Sequence, residues 1–323
     1  MSAEEKNMRS DVDRVTSTLS LSERWRLYFR ERFPLALHAP VVAVFSSSSF
    51  IFAWVVIGQR SPPSAISLTG AFIVTLLFFL QLRIADEFKD FEEDQRFRPY
   101  RPVPRGIVTL RGLSGLCVIS AGVQAASSAL FGMRALAALA VVWAYFGLMA
   151  VEFFVGKWLK SHPATYMASH MMALPLIVAY VAICAGAVSV SAPLLWYAGT
   201  SYLGFCVFEI GRKIRSPADE EEGVETYSAV WGRQRAVHAW LGAMAGSCIF
   251  AALAARDVDA LALTAGVAAV VIVLAAGVGG TFLNEPRAGR GRVFFAMSGI
   301  WLVVIYLAVG AGSWRALLAD ING

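Results

Sequence analysis

Two groups of carboxylates stand at the ends of apolar segments in a chain that otherwise avoids charge. The first runs Arg83-Ile-Ala-Asp86-Glu87-Phe-Lys89-Asp90-Phe-Glu92-Glu93-Asp94; the second runs from Glu209 through Arg212-Lys213-Ile-Arg215 to Asp219-Glu220-Glu221-Glu222 and Glu225. Carboxylates at the mouth of a lipid-embedded bundle cost free energy to place, which makes them functional candidates. Asp86, Asp90 and Asp94 are spaced i, i+4, i+8, which on a continued helix predicts one face about 12 Å long. Glu87 lies on the adjoining ridge. Such a stripe of hard oxygen donors suits Mg²⁺, which binds through one or two carboxylates plus phosphate oxygens. Without a cation these groups would repel one another and partly protonate. The plainer reading of the stripe alone is a solvated acidic loop neutralised by Lys89, Arg96 and Arg98.

The run that follows, Arg98-Pro99-Tyr100-Arg101-Pro102-Val103-Pro104-Arg105-Gly106, favours the chemical reading. Its three prolines predict an extended, preset backbone that holds arginines over a polyanion at low entropic cost. Arginine is well matched to diphosphate oxygens. Metal-binding carboxylates beside rigid arginines make a diphosphate site.

The elements that must carry these residues are apolar helices. Of 323 residues, 57% are apolar and 16% charged, and the mean hydropathy is +0.60. At roughly 20 residues per span, nine helices are expected, near 36–57, 65–87, 107–131, 135–156, 164–188, 192–214, 236–255, 259–283 and 293–317, with a kink in the fifth at Pro175. The fold class is therefore an all-α polytopic membrane protein, organised as a tail over 1–35, a nine-helix domain over 36–318 and a short C-terminal tail over 319–323. Within the first tail, Trp25, Tyr28, Phe29 and Phe33 among Arg24, Arg26, Arg30 and Arg32 predict an amphipathic helix in the headgroup layer. The first apolar stretch comes late and is long enough to remain as a span, so no cleavable signal is expected.

Orientation follows from the basic residues. Twenty-two of the 28 Lys and Arg fall in the tail and in the loops after even-numbered helices, against four (Arg60, Arg134, Arg256, Arg315) on the other side. This places the N-terminus and both acidic clusters in the cytoplasm and the C-terminus outside, as in a bacterial-type inner membrane. The net charge of +5 is thus a topology signal; no basic patch interleaved with aromatics points to nucleic acid. Cys117, Cys184, Cys206 and Cys248 are dispersed and read as small buried residues without metal-type spacing. His170 lies where it could reach a cavity, but reads first as a packing histidine. The stretches 242–246 and 277–280, rich in Gly and Ala, read as close helix packing.

At the first cluster the chain resembles the UbiA superfamily of intramembrane prenyltransferases. That family has an Asn-Asp pair, Asp residues three and seven positions later, and a short Arg-Pro-x-Arg-Pro-[Ile/Val]-Pro-x-Gly segment. Here Glu87, Asp90 and Asp94 take the acidic places, Asp86 replaces the Asn, and residues 98–106 match throughout. In the second cluster Gly223-Val-Glu-Thr226 and Gly232 keep the family's ending and Asp219 stands at its last aspartate, while Arg212, Lys213 and Arg215 stand where acids are expected. With Glu209 one turn earlier, that face becomes a mixed ion cluster able to touch phosphate directly. Lys160, with Lys157 beside it, resembles the family's lysine on the corresponding loop.

The resemblance implies a bundle around a central cavity open to the cytoplasmic side. There an isoprenyl diphosphate would be ionised with Mg²⁺ and its prenyl group passed to an aromatic or other nucleophilic acceptor, releasing diphosphate. The implied metal ligands are Glu87, Asp90, Asp94 and Asp219, with Asp86 also in the catalytic group. The implied diphosphate contacts are Arg83, Arg98, Arg101, Lys160, Glu209, Arg212 and Lys213. Two alternatives stand beside transfer: the superfamily's terpene-cyclase branch, in which the cation is captured by the substrate's own double bonds, and a non-catalytic transporter or lipid-diphosphate binder on the same scaffold. The acidic motifs lie at helix ends, unlike the broken midplane helices of transporters.

Overall fold

A computed structural model describes residues 19–322. In chain order the helices are α1 (Leu21–Arg32), α2 (Leu35–Val56), α3 (Ala65–Lys89), α4 (Phe91–Phe97), α5 (Leu110–Ala129), α6 (Met133–Ala150), α7 (Gly156–Lys160), α8 (Pro163–Met171), α9 (Ala173–Cys184), α10 (Ala192–Arg212), α11 (Tyr227–Val230), α12 (Arg233–Ala255), α13 (Leu261–Asn284) and α14 (Gly291–Asn322). No strand occurs among the described residues. Eight segments are long and apolar enough to cross a membrane: α2, α3, α5, α6, Pro163–Cys184, Arg233–Val258, α13 and Gly291–Ala319. The ninth expected span forms the 21-residue helix α10, outside these eight; it carries Thr200, Ser201 and Glu209, all buried.

Two compact units are distinguished. One comprises the described chain up to Pro40 together with Leu76–Ala126, and the other comprises Val41–Thr75 together with the chain from Ser127. In the first, α1 starts at a capping box: Glu23 accepts the Ser20 N–H at 2.8 Å, and Ser20 Oγ accepts the Glu23 N–H. Its Tyr28, with Phe33, packs against Leu80 and Ile84 of α3, Val103, Ile107 and Val108 of the proline-rich segment, and Leu113 of α5. Each large apolar side chain so buried contributes about 1.5–3 kcal/mol. Trp25 and Phe29 lean on the same core. Of the aromatic face expected to enter the headgroup layer, Tyr28 and Phe33 are buried in this core and Trp25 and Phe29 are partly buried against it; the earlier part of that tail, residues 1–18, lies outside the described residues.

In the second unit α10 packs along α12, α14 and α9. The approach is close because small residues face one another. A Cβ at Gly211 would meet Ser298 Oγ, and would lie 3.0 Å from both the Phe294 carbonyl and Trp240 Nε1. Ser298 Oγ in turn accepts the Trp240 indole N–H at 2.8 Å and lies 3.2 Å from the Val207 carbonyl. Of the glycines read as packing contacts, Gly246 abuts Leu203 and Gly279 abuts Val237, whereas Gly242, Gly277 and Gly280 face open space. At the far end, α14 runs on to Asn322, making helix of most of the expected tail.

Gly211→Ala tests the three-helix contact. Overpacking of this kind costs about 1–3 kcal/mol, so the variant should unfold at a lower temperature in detergent. An unchanged unfolding temperature would show that the contact relaxes without cost.

Candidate diphosphate site

The acidic stripe begins inside α3 and ends inside α4. The chain turns at Asp90 (φ −93°, ψ 6°), yet the Asp90 N–H still reaches the Asp86 carbonyl at 2.9 Å and the Asp94 N–H the Asp90 carbonyl at 2.7 Å. The i, i+4, i+8 register therefore survives the bend. The environments of the carboxylates do not stay alike. Asp94 is buried and held by two arginines, with Arg98 Nε at 2.8 Å and Arg101 Nη1 at 2.6 Å. Glu87, also buried, receives Arg32 Nε from α1 at 2.5 Å, with Arg83 Nε at 3.5 Å. Its Oε2 atom is buried without a hydrogen-bond partner. The Asp86 side chain is half exposed and lies 3.3 Å from Arg83. Asp90 makes no ion pair among the described residues.

The proline-rich run is not extended, in contrast to the expectation. It is a chain of turns: Arg101 N–H reaches the Arg98 carbonyl, Arg105 N–H the Arg101 carbonyl, Gly106 N–H the Val103 carbonyl and Ile107 N–H the Pro102 carbonyl. Each proline stands second in one of these turns, the place its fixed φ favours, and Gly106 supplies a φ of +69°. The rigidity inferred from the prolines is present in coiled form, and it delivers Arg98 and Arg101 to one carboxylate. Arg105 instead reaches Glu31 at 3.4 Å.

The second cluster is a network in which Glu209, Asp219, Glu220 and Glu221 are engaged. Glu209 is buried and binds Arg212 Nε at 2.5 Å and Lys213 Nζ at 3.1 Å; the Lys213 ammonium also sits over the Tyr227 ring, 5.3 Å from its centroid. Asp219 accepts from Ser216 Oγ at 2.5 Å and from the Gly289 N–H at 2.7 Å, and these bonds hold its carboxyl below the usual range. Glu220 accepts from Thr226 and Ser228, while Arg215 pairs with Glu221 at 2.8 Å. The glycine and threonine signature here is a scaffold. Gly223 and Gly232 take positive φ of 72° and 82°, and Thr226 caps α11 by accepting the Ala229 N–H.

On the loop after α6, Lys160 Nζ lies 3.9 Å from Glu152. Sequence reading carried α6 on to residue 156 and missed what ends it. Glu152, Phe153 and Phe154 all take left-handed φ, at 49°, 53° and 62°, a cost of roughly 1–2 kcal/mol per residue for side chains of this kind. No glycine or proline signals this turn before Gly156, against whose backbone the Glu152 carboxylate lies.

Among the described residues no three His, Cys, Asp or Glu are gathered as a ready metal cage. What fits a hard cation is Asp86 with Asp90, since Mg²⁺ asks for only one or two carboxylates beside phosphate oxygens and water. Glu87, Asp94 and Asp219 already accept from arginines or from the loop.

Burial first, and then the charges of Asp86 and Asp94, push the Asp90 carboxyl above its ordinary range. A carboxyl with a higher pKa folded than unfolded holds its proton better in the folded state. Its contribution is therefore favourable at low pH and is lost as the pH rises through the folded value. Asp90→Asn should raise the unfolding temperature of the metal-free protein near neutral pH, with the gain vanishing below the ordinary Asp pKa of about 3.9. A variant no more stable than the parent across that series would contradict the burial argument.

The family model for the UbiA prenyltransferase family matches residues 47–300. Among solved structures, a UbiA homologue from Aeropyrum pernix K1 aligns with a TM-score of 0.60 at 19% identity, covering 86% of this chain and 98% of that one. A structure described in connection with digeranylgeranylglyceryl phosphate synthase in membranes aligns at 0.54 and 16% identity, covering 91% and 99%. A UbiA homologue from Archaeoglobus fulgidus, bound to DMAPP and Mg²⁺, aligns at 0.52 and 11% identity, covering 88% and 98%. These likenesses show the fold. No curated protein sequence matches the chain. With the family match spanning most of its length, this integral membrane protein belongs to the UbiA prenyltransferase family.

Proposed function

We propose that the protein ionises an allylic isoprenyl diphosphate in a Mg²⁺-dependent reaction and transfers the prenyl group to a nucleophilic acceptor. The observation that carries this reading is the division of labour within the first motif. Asp86 and Asp90 remain as donors for a divalent cation, while Asp94 and Glu87 hold arginines in place around them. The Archaeoglobus homologue was solved with DMAPP and Mg²⁺, which supports the same substrate class here.

A bound Mg²⁺ would supply charge stabilisation for the departing diphosphate. The chain's own residues do the rest. Arg83, Arg98 and Arg101, fixed by buried carboxylates, present preorganised donors to phosphate oxygens. In the second cluster Glu209 orients Arg212 and Lys213 for the same task in place of a second acidic set, and Asp219 anchors its loop through Ser216 and Gly289. Lys160 adds a further cation. The apolar helices keep water from the cation until it is captured.

Purified protein incubated with C10, C15 and C20 allylic diphosphates and Mg²⁺ should release pyrophosphate with at least one of them, and EDTA should stop it. Asp90→Ala should abolish release. Arg212→Ala should lower kcat/KM by about one to two decades, the weight of a charge-assisted phosphate contact of roughly 1.5–3 kcal/mol. Release that is metal-independent, or full activity in Asp90→Ala, would overturn the reading. A cyclic hydrocarbon formed without acceptor would replace transfer by cyclisation.

The basic residues further support cytoplasmic placement of both motifs and an outside C-terminus. Cysteines introduced at Arg101 and Glu221 should react only from the cytoplasmic side, and one at Asn322 only from the other. Both termini reporting one compartment would refute this topology.

A further inference from the structure

Residues 151–162 join two spanning segments, α6 and Pro163–Cys184, and so lie at a membrane surface whichever way the chain is oriented. The connection begins with the left-handed turn at Glu152, Phe153 and Phe154. Its two aromatic side chains part company there. Phe153 packs edge-on to Tyr145, 5.6 Å between centroids, whereas Phe154 is 80% exposed. Farther along, Leu159 of α7 is buried, while Trp158 is 52% exposed and Val151 and Val155 are nearly half exposed.

The residue type at position 154 is not explained by the fold. Its backbone φ of 62° suits Gly, Asn or Asp, and a bulky aromatic residue is among the costlier choices there. That cost is ordinarily repaid by packing inside the protein, and an 80% exposed ring does little of it. The repayment must come from outside the chain. Trp158 is likewise exposed yet held in one orientation: its ring stacks on His162 at 4.6 Å and 27°, and His162 Nδ1 lies 2.8 Å from the Trp158 carbonyl. Lys157, also exposed, adjoins it, while Lys160 turns back toward Glu152 at 3.9 Å. No acidic residue occurs between Phe153 and His162.

We propose that this connection is a contact for anionic phospholipid. Phe154 and Trp158 enter the boundary between headgroups and acyl chains, the depth at which aromatic rings with one polar edge are most at home. Lys157 pairs with the lipid phosphate. The spans on either side place lipid against these rings in every copy of the protein, whereas a second copy or another protein would have to be recruited to them. The contact is independent of the reaction proposed above, since it uses none of the residues assigned to the diphosphate.

The full chain can be reconstituted in nanodiscs of phosphatidylcholine or of an equal mixture with phosphatidylglycerol, and amide hydrogen exchange followed over residues 151–162. Anionic lipid should slow exchange of this segment about fivefold, the weight of one lysine at a charged surface, and Lys157→Gln should erase the difference. Phe154→Asn should speed exchange in both lipids without lowering the unfolding temperature, because asparagine accepts the left-handed backbone more readily than phenylalanine. Equal wild-type exchange in the two lipids, or a difference that survives Lys157→Gln, overturns the headgroup contact. Protection produced by inorganic phosphate in phosphatidylcholine discs assigns the lysine to free anions instead, and protection confined to discs holding two copies assigns the rings to self-association. A Phe154→Asn protein that unfolds at a lower temperature marks the ring as a packing residue and overturns its insertion.

Discussion

Charge placed at the rim of an apolar bundle must be neutralised where it stands, because water is not there to do it. Glu87 and Asp94 are almost wholly buried, and each brings arginines with it, Arg32 and Arg83 to one, Arg98 and Arg101 to the other. Once those pairs form, the arginines are no longer floppy surface cations. They are fixed donors, which is the condition under which hydrogen bonding to a developing anion accelerates a reaction. The second cluster repeats the solution with Glu209 as the buried anchor. The two motifs thus share a logic: a buried carboxylate holds neighbouring cations in place.

The same logic extends to α1. By sequence its aromatics and arginines read as a membrane-surface helix. Its capped start and buried Tyr28 also bring Arg32 to Glu87, so that a segment outside the family match starting at residue 47 contributes to the charge balance of the first motif.

Much of the fold was legible because lipid demands long apolar helices, and composition alone locates them. Their observed ends agree with expectation within about four residues, save at α6 and at the far end of α14. After α6 the chain turns left-handed at Glu152, Phe153 and Phe154, residues with no intrinsic preference for it, and only tertiary contacts hold them. The kink near Pro175 was visible, but not what it would gather, since Tyr145 and Tyr202, which donate to the Ser169 and Ala168 carbonyls there, come from distant parts of the chain. Motif residues were also legible, whereas their roles were not fully so: spacing shows that Asp86, Asp90 and Asp94 share a face but not that Asp94 would be claimed by arginines. Likewise the three prolines announced rigidity without announcing turns.

The seat of α10 ties distant parts of the chain together. It holds buried Thr200, Ser201 and Glu209. Its backbone lies against α14 through Gly211. Those polar groups are satisfied by protein, and α10 packs along α12, α14 and α9. Of its partners, α12 and α14 come later in the chain and α9 comes before it. A substitution in α14 that crowds this contact would therefore be felt on the helix that carries Glu209 and Arg212, about eighty residues earlier in the chain.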